Sequence, residues 1–257
     1  MILYVLIVLV ATMIGAITGL GGGVIIKPLF DAIGLDGPTT ISFYSSVAVF
    51  TMCLVTIYKQ MVRGFVFKWR LLSSISVGSI LGGLLGDRLF AFAVAQLHAR
   101  QVSLIQASLL FATLLIILLY TLMKPRLRSY HLDNPVMVFM VGLFLGALSV
   151  FLGIGGGPLN VALLMWLFSL SMKEAAAYSI ATIFFSQLSN LATTVFTRTF
   201  LSYPLTIVPF LMLAAVLGAF LGTLLNQKMT EKTVERCYIG LMLVLVCLSV
   251  FNIFQNL

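Results

Sequence analysis

The chain has 257 residues, of which 61% are hydrophobic and only 9% are charged, and its mean hydropathy is +1.16. Soluble domains carry about 25% charged residues, so this composition excludes a water-soluble globular protein and indicates one embedded in lipid. Lys and Arg number 15 against 7 Asp and Glu, and nearly all of these charges lie in short connections between apolar runs. A basic excess placed there suits anionic lipid headgroups rather than nucleic acid.

Eight apolar runs follow one another along the chain. They cover residues 1–18, 41–58, 71–97, 104–123, 136–152, 175–196, 205–225 and 238–254. Most of them approach the ~20 residues that a membrane-spanning helix needs. The sequence therefore predicts an all-α polytopic membrane protein.

A glycine-rich string occurs twice in the chain. Residues 19–23 read GLGGG and residues 153–157 read GIGGG, and Tyr44-Ser45 reappears as Tyr178-Ser179 at the same offset. Self-similarity at a fixed offset predicts a tandem duplication. We expect a first repeat over residues 1–130 and a second over residues 131–257, with four hydrophobic elements in each.

The predicted elements follow the same order in both repeats. The first repeat has an interrupted segment at 1–33 and helices at about 39–59, 69–97 and 102–123; the second has an interrupted segment at 135–169 and helices at about 172–197, 203–227 and 232–255. One helix over residues 1–33 would be about 50 Å long, which exceeds the ~30 Å hydrocarbon core. The first element of each repeat must therefore break or re-enter.

The positions of Lys and Arg discriminate between an interrupted segment that crosses the bilayer and one that re-enters on the face where it began. If each interrupted segment crosses the bilayer, the 15 cations divide eight to seven and give no orientation. If each segment enters and leaves on one face, the division becomes eleven to four, which satisfies the positive-inside rule. We therefore expect inverted repeats, with the basic loop at residues 59–70 in the cytoplasm.

The glycine strings are candidate anion-binding elements. Consecutive glycines interrupt helical pairing, and lipid penalises unsatisfied backbone groups, so each break must face protein or a water-filled cavity. An apolar run follows each string, and Pro158 favours a helix start. Two half-helix N-termini would direct N–H groups and positive dipole ends at one bound anion. The alternative is that these glycines only let helices cross closely.

The candidate substrate-binding residues lie in the two strings and on the polar helix faces that follow them. Lys27 lies within the first half-helix, where the alternative is that it snorkels to the surface. The polar helix residues have their own alternative, which is bonding to neighbouring helix carbonyls. The predicted set is Gly19, Gly21, Gly22, Gly23, Lys27, Ser45, Gly153, Gly155, Gly156, Gly157, Pro158, Asn160, Ser179, Gln187 and Asn190.

A second glycine pattern has a period of four residues. Gly78, Gly82 and Gly86 in the first repeat correspond to Ala214, Gly218 and Gly222 in the second. Small residues at this spacing make one smooth helix face, so we expect helix-packing positions. Neither glycine string fits a dinucleotide-binding fingerprint, because no βαβ pattern surrounds it.

Metal and enzyme chemistry have little support in this sequence. The two histidines lie near segment ends, and the three cysteines, Cys53, Cys237 and Cys247, show no paired spacing. No nucleophile and base form a recognisable pair. We therefore expect no metal, no cofactor and no catalytic residues.

The twin glycine strings, each followed by a Tyr-Ser helix and a helix with glycines four residues apart, resemble the TauE/SafE family of sulfite exporters and related permeases. The resemblance covers nearly the whole chain and includes the basic turn at Arg63-Gly64. It implies a transporter of small anions such as sulfite, sulfoacetate or a related organosulfonate, in the bacterial inner membrane.

By position, the resemblance places the family's glycine elements on residues 19–23 and 153–158. The partners it implies are the anion and the lipid bilayer, and a homo-oligomer stays open. We expect a secondary transporter that works as an exporter. An anion channel and a non-catalytic membrane scaffold subunit are the alternatives at this stage.

Overall fold

The computed structural model describes residues 2–123, 130, 134–152 and 157–256. Its α-helices are α1 Ile2–Thr18, α2 Gly23–Ile33, α3 Pro38–Val62, α4 Trp69–Gln96, α5 Ala99–Met123, α6 Pro135–Phe151, α7 Gly157–Phe168, α8 Met172–Phe196, α9 Val208–Lys228 and α10 Glu231–Asn256. Two 3-10 turns, Thr199–Ser202 and Leu205–Ile207, connect α8 to α9. The described part of the chain contains no strand, so the predicted all-α class is confirmed.

Several of these helices suit a membrane. Within the described residues, α3, α4, α5, α9 and α10 are each long and apolar enough to cross a bilayer, whereas α1, α6 and α7 are shorter apolar helices. The 25-residue helix α8 carries more polar side chains, and most of its first two-thirds is buried among the others. The chain is therefore a multi-pass membrane protein.

The helix starts follow local signals in the sequence. Ser171 caps α8 in a complete capping box with Glu174, in which each side chain bonds the other residue's backbone N–H. Gly37 precedes α3, and Pro38 occupies its first turn, where the missing N–H of proline costs nothing. Both starts lie where the sequence predicted them.

The first interrupted segment folds as a helical hairpin. Tyr4, at the start of α1, stacks on Phe30, near the end of α2, with the ring centroids 4.1 Å apart. At the tip, Gly15 packs against the backbone of Gly22 so closely that a Cβ on Gly15 would collide with it. Helix α2 therefore runs back along α1, and the segment re-enters on the face where it began.

Helices α6 and α7 also form a hairpin. Tyr130 precedes α6, and its backbone N–H donates to the carbonyl of Trp166 near the end of α7, at 2.8 Å. The Tyr130 carbonyl accepts from the Ser169 hydroxyl, which follows α7, at 2.9 Å. The end of α7 thus returns to the face at which α6 starts.

The first helix of each hairpin packs on a long helix through glycine. A Cβ added to Gly78, Gly82 or Gly86 of α4 would overlap backbone carbonyls of α6, and one added to Gly218 or Gly222 of α9 would overlap those of α1. The backbones therefore touch directly, as small residues permit in membranes. For these five glycines, the predicted packing role is confirmed.

The helix pairing is reciprocal. Helix α1 packs on α9 and α6 on α4, α3 packs on α9 and α8 on α4, and α3 pairs with α8 as α5 does with α10. Exchanging α1–α5 with α6–α10 reproduces the same set of pairs. A duplicated unit would produce this reciprocity, and the duplication itself stays a prediction.

The hairpins and helix directions define two faces. The first face holds the start of α1 and the end of α2; the second holds the loop at 63–68, the start of α6 and the end of α7. Among the described cations, Lys59, Arg63, Lys68, Arg70, Lys173, Lys228, Lys232 and Arg236 belong to the second face, and Lys27, Arg88, Arg100 and Arg198 to the first. The positive-inside rule then predicts a cytoplasmic second face.

Candidate functional site

The tips of the two hairpins meet in the middle of the helix bundle. Gly157, the first residue of α7, lies so close to Leu20 that a Cβ at position 157 would overlap the Leu20 carbonyl. Gly153, Gly155 and Gly156 lie outside the described residues. Helices α2 and α7 therefore start beside one contact and run toward opposite faces.

The first glycine string has a conformation that requires glycine. Gly19 and Gly21 adopt φ values of +77° and +66°, which residues with a Cβ rarely adopt. A Cβ on Gly19 would also overlap Ala176 of α8. The Ser179 hydroxyl, one turn further along α8, donates to the Gly19 carbonyl at 2.8 Å. Helix α8 thus holds the break in place.

The two helix N-termini supply the electrostatics of the site. Gly22 is the N-cap of α2 and provides no side-chain cap, and Gly23 is the first helical residue. The first turn of a helix leaves backbone N–H groups without intrahelical partners, and the aligned peptide dipoles place partial positive charge there. With 11 residues in α2 and 12 in α7, both helices are long enough for this effect.

Two predicted polar residues are buried with unpartnered atoms. Asn160, one turn into α7, is 1% exposed, and neither atom of its amide has a hydrogen-bond partner among the described residues. The Oε1 atom of Gln187, on α8, is also buried without a partner there. A buried unpaired polar group costs about 1–3 kcal/mol, so these groups are suited to a ligand.

Other predicted residues support this region or lie apart from it. Ser45 is buried on α3. The Pro158 carbonyl accepts from the Tyr238 hydroxyl of α10 at 2.9 Å, which fixes the start of α7. Asn190 donates to the Ser46 hydroxyl at 2.9 Å and lies nearer the first face.

Lys27 does not snorkel to the surface. It is 2% exposed, and its ammonium lies 3.4 Å from a carboxylate oxygen of Asp31, one turn further along α2. Sequence reasoning missed this partner, although the i, i+4 spacing of the two residues was visible.

A vestibule opens at each face of the bundle. The first-face vestibule has a volume of ≈ 410 Å³, and its polar lining includes Ser42, Asp87, Asn190 and Thr193. The second-face vestibule has a volume of ≈ 340 Å³ and is lined by Gln60, Arg63, Gly64, Phe65, Lys173, Asn226 and Gln227. Of the two vestibules, the second-face one is the one whose described lining includes cations. The sequence marked Arg63 as part of a basic turn, and the inverted-repeat charge count placed Lys173 on the same face, but neither showed that the two would line one vestibule.

The repeated Tyr-Ser pair connects the centre to the loops beside these vestibules. The Tyr178 hydroxyl accepts a hydrogen bond from the backbone N–H of Lys68 in the loop at 63–68. The Tyr44 hydroxyl donates to the carbonyl of Pro204 in the connection between α8 and α9, at 2.9 Å. Since Ser179 holds Gly19, the Tyr178-Ser179 pair contacts both a break and a vestibule loop.

One protein-family model matches most of the chain. The family model described as sulfite exporter TauE/SafE matches residues 4–249. The chain belongs to the TauE/SafE family. No curated protein and no solved structure matched the chain in the corresponding comparisons. TauE/SafE proteins are transporters, so the coarse assignment is membrane transport.

Proposed function

We propose that the protein exports a small oxyanion, either sulfite or an organosulfonate such as sulfoacetate, which binds where the hairpin tips meet. The observation that carries this proposal is the contact between Leu20 and Gly157. It brings two half-helix N-termini to one place, and one turn into α7 lies Asn160, whose buried amide has no partner among the described residues. Backbone N–H groups and dipole ends that converge in this way favour an anion.

The charges along the access routes also favour an anion. Arg63 and Lys173 line the second-face vestibule, and cations at the mouth of a cleft raise the local concentration of anions. If the second face is cytoplasmic, the substrate enters from the cytoplasm. The first-face vestibule has hydroxyl groups and Asp87 instead, which weakens rebinding of an exported anion and so favours export.

The two vestibules and the closed centre support alternating access. They open at opposite faces, and the packed hairpin tips lie between them. Rocking of the hairpins against α3 and α8 would open the centre to one vestibule at a time, as in other inverted-repeat transporters. Tyr44 and Tyr178 would transmit this motion to the loops through their hydrogen bonds to Pro204 and Lys68. A channel would need a continuous path, so the packed tips favour a transporter.

The decisive experiment measures flux in liposomes that contain the purified protein. Radiolabelled sulfite and sulfoacetate are the substrates, and chloride is the control anion. We expect saturable flux of a sulfur oxyanion that far exceeds chloride flux. Non-saturating flux with no preference for sulfur oxyanions would contradict the proposal and favour a channel.

Asn160→Leu tests the binding site in the same liposomes. Leucine has the same number of side-chain heavy atoms as asparagine in the same branched arrangement, and it removes a buried amide that has no partner among the described residues, so we expect a folded protein with at least tenfold lower flux. Asn134→Leu is the matched control, because Asn134 caps α6 at the surface. This variant should lose some folding stability but keep its flux per folded molecule. Equal flux per folded molecule in Asn160→Leu and the wild type would remove Asn160 from the site.

A further inference from the structure

A second polar cluster lies between α2, α5 and α10, apart from the hairpin tips. It surrounds a cavity of ≈ 10 Å³, whose lining includes Lys27, Asp31, Gln106, Ser249 and Asn252. That volume is about the minimum that holds one water molecule. The cluster contains a buried ion pair that the anion site does not use.

Two side chains at this cavity are incompletely bonded within the described part of the chain. There, the Lys27 ammonium has its ion pair with Asp31 but no hydrogen bond, and Gln106 Oε1 is buried without a partner. The amide Nδ2 of Asn252 donates to the Pro28 carbonyl at 3.0 Å. A donor and an acceptor facing one small cavity are the partners that a bound water requires. The Asp31 side chain is 13% exposed, against 2% for Lys27, so the carboxylate is the more accessible member of the pair.

The cluster also contacts the second break. Leu152, the last described residue before that break, lines the cavity. Gln106 Nε2 donates to the carbonyl of Phe151, the last residue of α6, at 2.6 Å. Lys27 and Asp31 belong to the first hairpin, and Gln106 bonds the second hairpin. A change in the charge of the ion pair would therefore affect both hairpins.

The other half of the chain offers no equivalent pair. At the offset that relates the two glycine strings, Lys27 and Asp31 correspond to Val161 and Met165 of α7. An ion pair needed only to stabilise a half-helix would be expected in both hairpins. Ionisable residues inside a membrane segment are costly, and they commonly mark proton or ion pathways.

We propose that Asp31, poised by Lys27 and the cavity, is the proton-binding site that couples export to the proton gradient. One proton from the first face binds the Asp31 carboxylate, which becomes a neutral carboxylic acid. The rocking of the hairpins that carries one anion outward then exposes the pair toward the second face, where the same proton is released. Binding of the proton frees Lys27 from its partner, and the buried ammonium then interacts with the C-terminal end of α6 near the second break. This coupling rests on the proposed transport function.

Few other ionisable groups face this pair. On α1, Tyr4 lies within electrostatic range of Asp31 and donates to Asp36 at 2.7 Å. On α5, Arg100 lies about 9 Å along the helix from Gln106 and makes a contact of its own. The residues that line the cavity from α10 are Ser249 and Asn252, neither of which titrates. Asp31 is therefore the carboxylate that a proton entering this cavity reaches.

The first test detects the proton without transport. Infrared difference spectra of the protein in liposomes, recorded across a pH titration, report the stretch of protonated carboxyl groups. We expect a band that disappears in Asp31→Asn and persists in Glu231→Gln, which removes an exposed carboxylate at the start of α10. A wild-type spectrum unchanged by Asp31→Asn would overturn the proposal, whatever the substrate is.

The second test measures coupling with sulfoacetate, whose sulfonate stays ionised. A pH gradient applied without a membrane potential should drive uphill sulfoacetate movement in the wild type and in Glu231→Gln. Asp31→Asn should lose the uphill movement by at least tenfold but retain sulfoacetate exchange at equilibrium. Uphill movement that persists in Asp31→Asn would overturn the coupling and leave the anion site intact. Failure of exchange in every variant would instead contradict the proposed function.

A double variant excludes a purely structural ion pair. Lys27→Val with Asp31→Met gives α2 the residues of α7 and leaves no unpaired charge, so the fold is expected to persist. We expect exchange without pH-driven accumulation. Wild-type accumulation in this variant would overturn the proposal, because the pair would then serve stability alone.

Discussion

The Ser179 hydroxyl donates to the Gly19 carbonyl across the interface between α8 and the first glycine string, at 2.8 Å. Gly19 and Ser179 are 160 residues apart in sequence, and both are buried. The bond satisfies a carbonyl that the end of α1 leaves outside the helical ladder. The bond therefore fixes the position of the helix break in the first hairpin relative to α8.

Ser179→Ala should destabilise the protein and reduce transport. Removing the hydroxyl leaves the Gly19 carbonyl buried and unpaired, which costs about 1–3 kcal/mol. We expect the apparent melting temperature in detergent to fall by several degrees. Thr121→Ala is the matched control, since the Thr121 hydroxyl bonds the carbonyl of Ile117 within its own helix. Equal losses in both variants would remove any special role of the Ser179 bond.

Gly157→Ala should disrupt the contact between the hairpin tips. The added methyl group would overlap the Leu20 backbone, which cannot rotate away as a side chain does, so the hairpins must separate. We expect lower expression of folded protein and at least tenfold lower sulfite flux. Gly240→Ala is the control, because a Cβ there meets nothing within 4 Å. Normal stability and flux in Gly157→Ala would show that the tips are not in contact.

The double variant Arg63→Gln with Lys173→Gln should weaken capture of the anion from the second face. Loss of both vestibule cations removes electrostatic attraction, so KM on that side should rise on the order of tenfold at low ionic strength, with kcat unchanged. The difference should shrink as salt is added. Lys232→Gln, on the same face but outside the vestibule lining, should leave KM unchanged. A lower kcat with constant KM would indicate a role in the transport step instead.

The two faces should be accessible from opposite sides of the membrane. In a variant with its three cysteines replaced by alanine, Val66→Cys and Leu201→Cys place single thiols on loops at residues that are 84% and 65% exposed. A membrane-impermeant maleimide should label Leu201→Cys in intact cells and Val66→Cys only in inverted vesicles. Labelling of both from one side would contradict the re-entrant hairpins, and the reverse pattern would invert the orientation.

Much of the fold follows from local sequence signals. Apolar length predicted the long helices, and two of their starts coincide with local signals, the capping box at Ser171 and Pro38 in the first turn of α3. The four-residue glycine spacing predicted close helix packing, which the contacts of α4 with α6 and of α9 with α1 confirm. These features depend on neighbours a few residues apart, so they are readable without a structure.

The site was less accessible to sequence reasoning. The glycine strings identified both helix breaks as candidates, but not that Gly157 would lie on Leu20 rather than on its own hairpin. Lys27 was a candidate for the anion, whereas the structure pairs it with Asp31. The charge count of the inverted-repeat arrangement placed Lys173 on the same face as Arg63, but it did not show that the two would line one vestibule. The first and third of these relationships join segments far apart in sequence, whereas Lys27 and Asp31 lie one turn apart and their burial depends on the surrounding helices.

By itself, the sequence determined that the chain is a membrane protein, that it is helical, and where its helices must be interrupted. These properties follow from hydrophobicity, from helix length and from the conformational freedom of glycine. Only the tertiary structure decided that α2 and α7 turn back into hairpins, which residues meet at their tips and what charges face each vestibule. Those outcomes depend on which helix pairs bury their surfaces together, a competition among distant segments that no local pattern records.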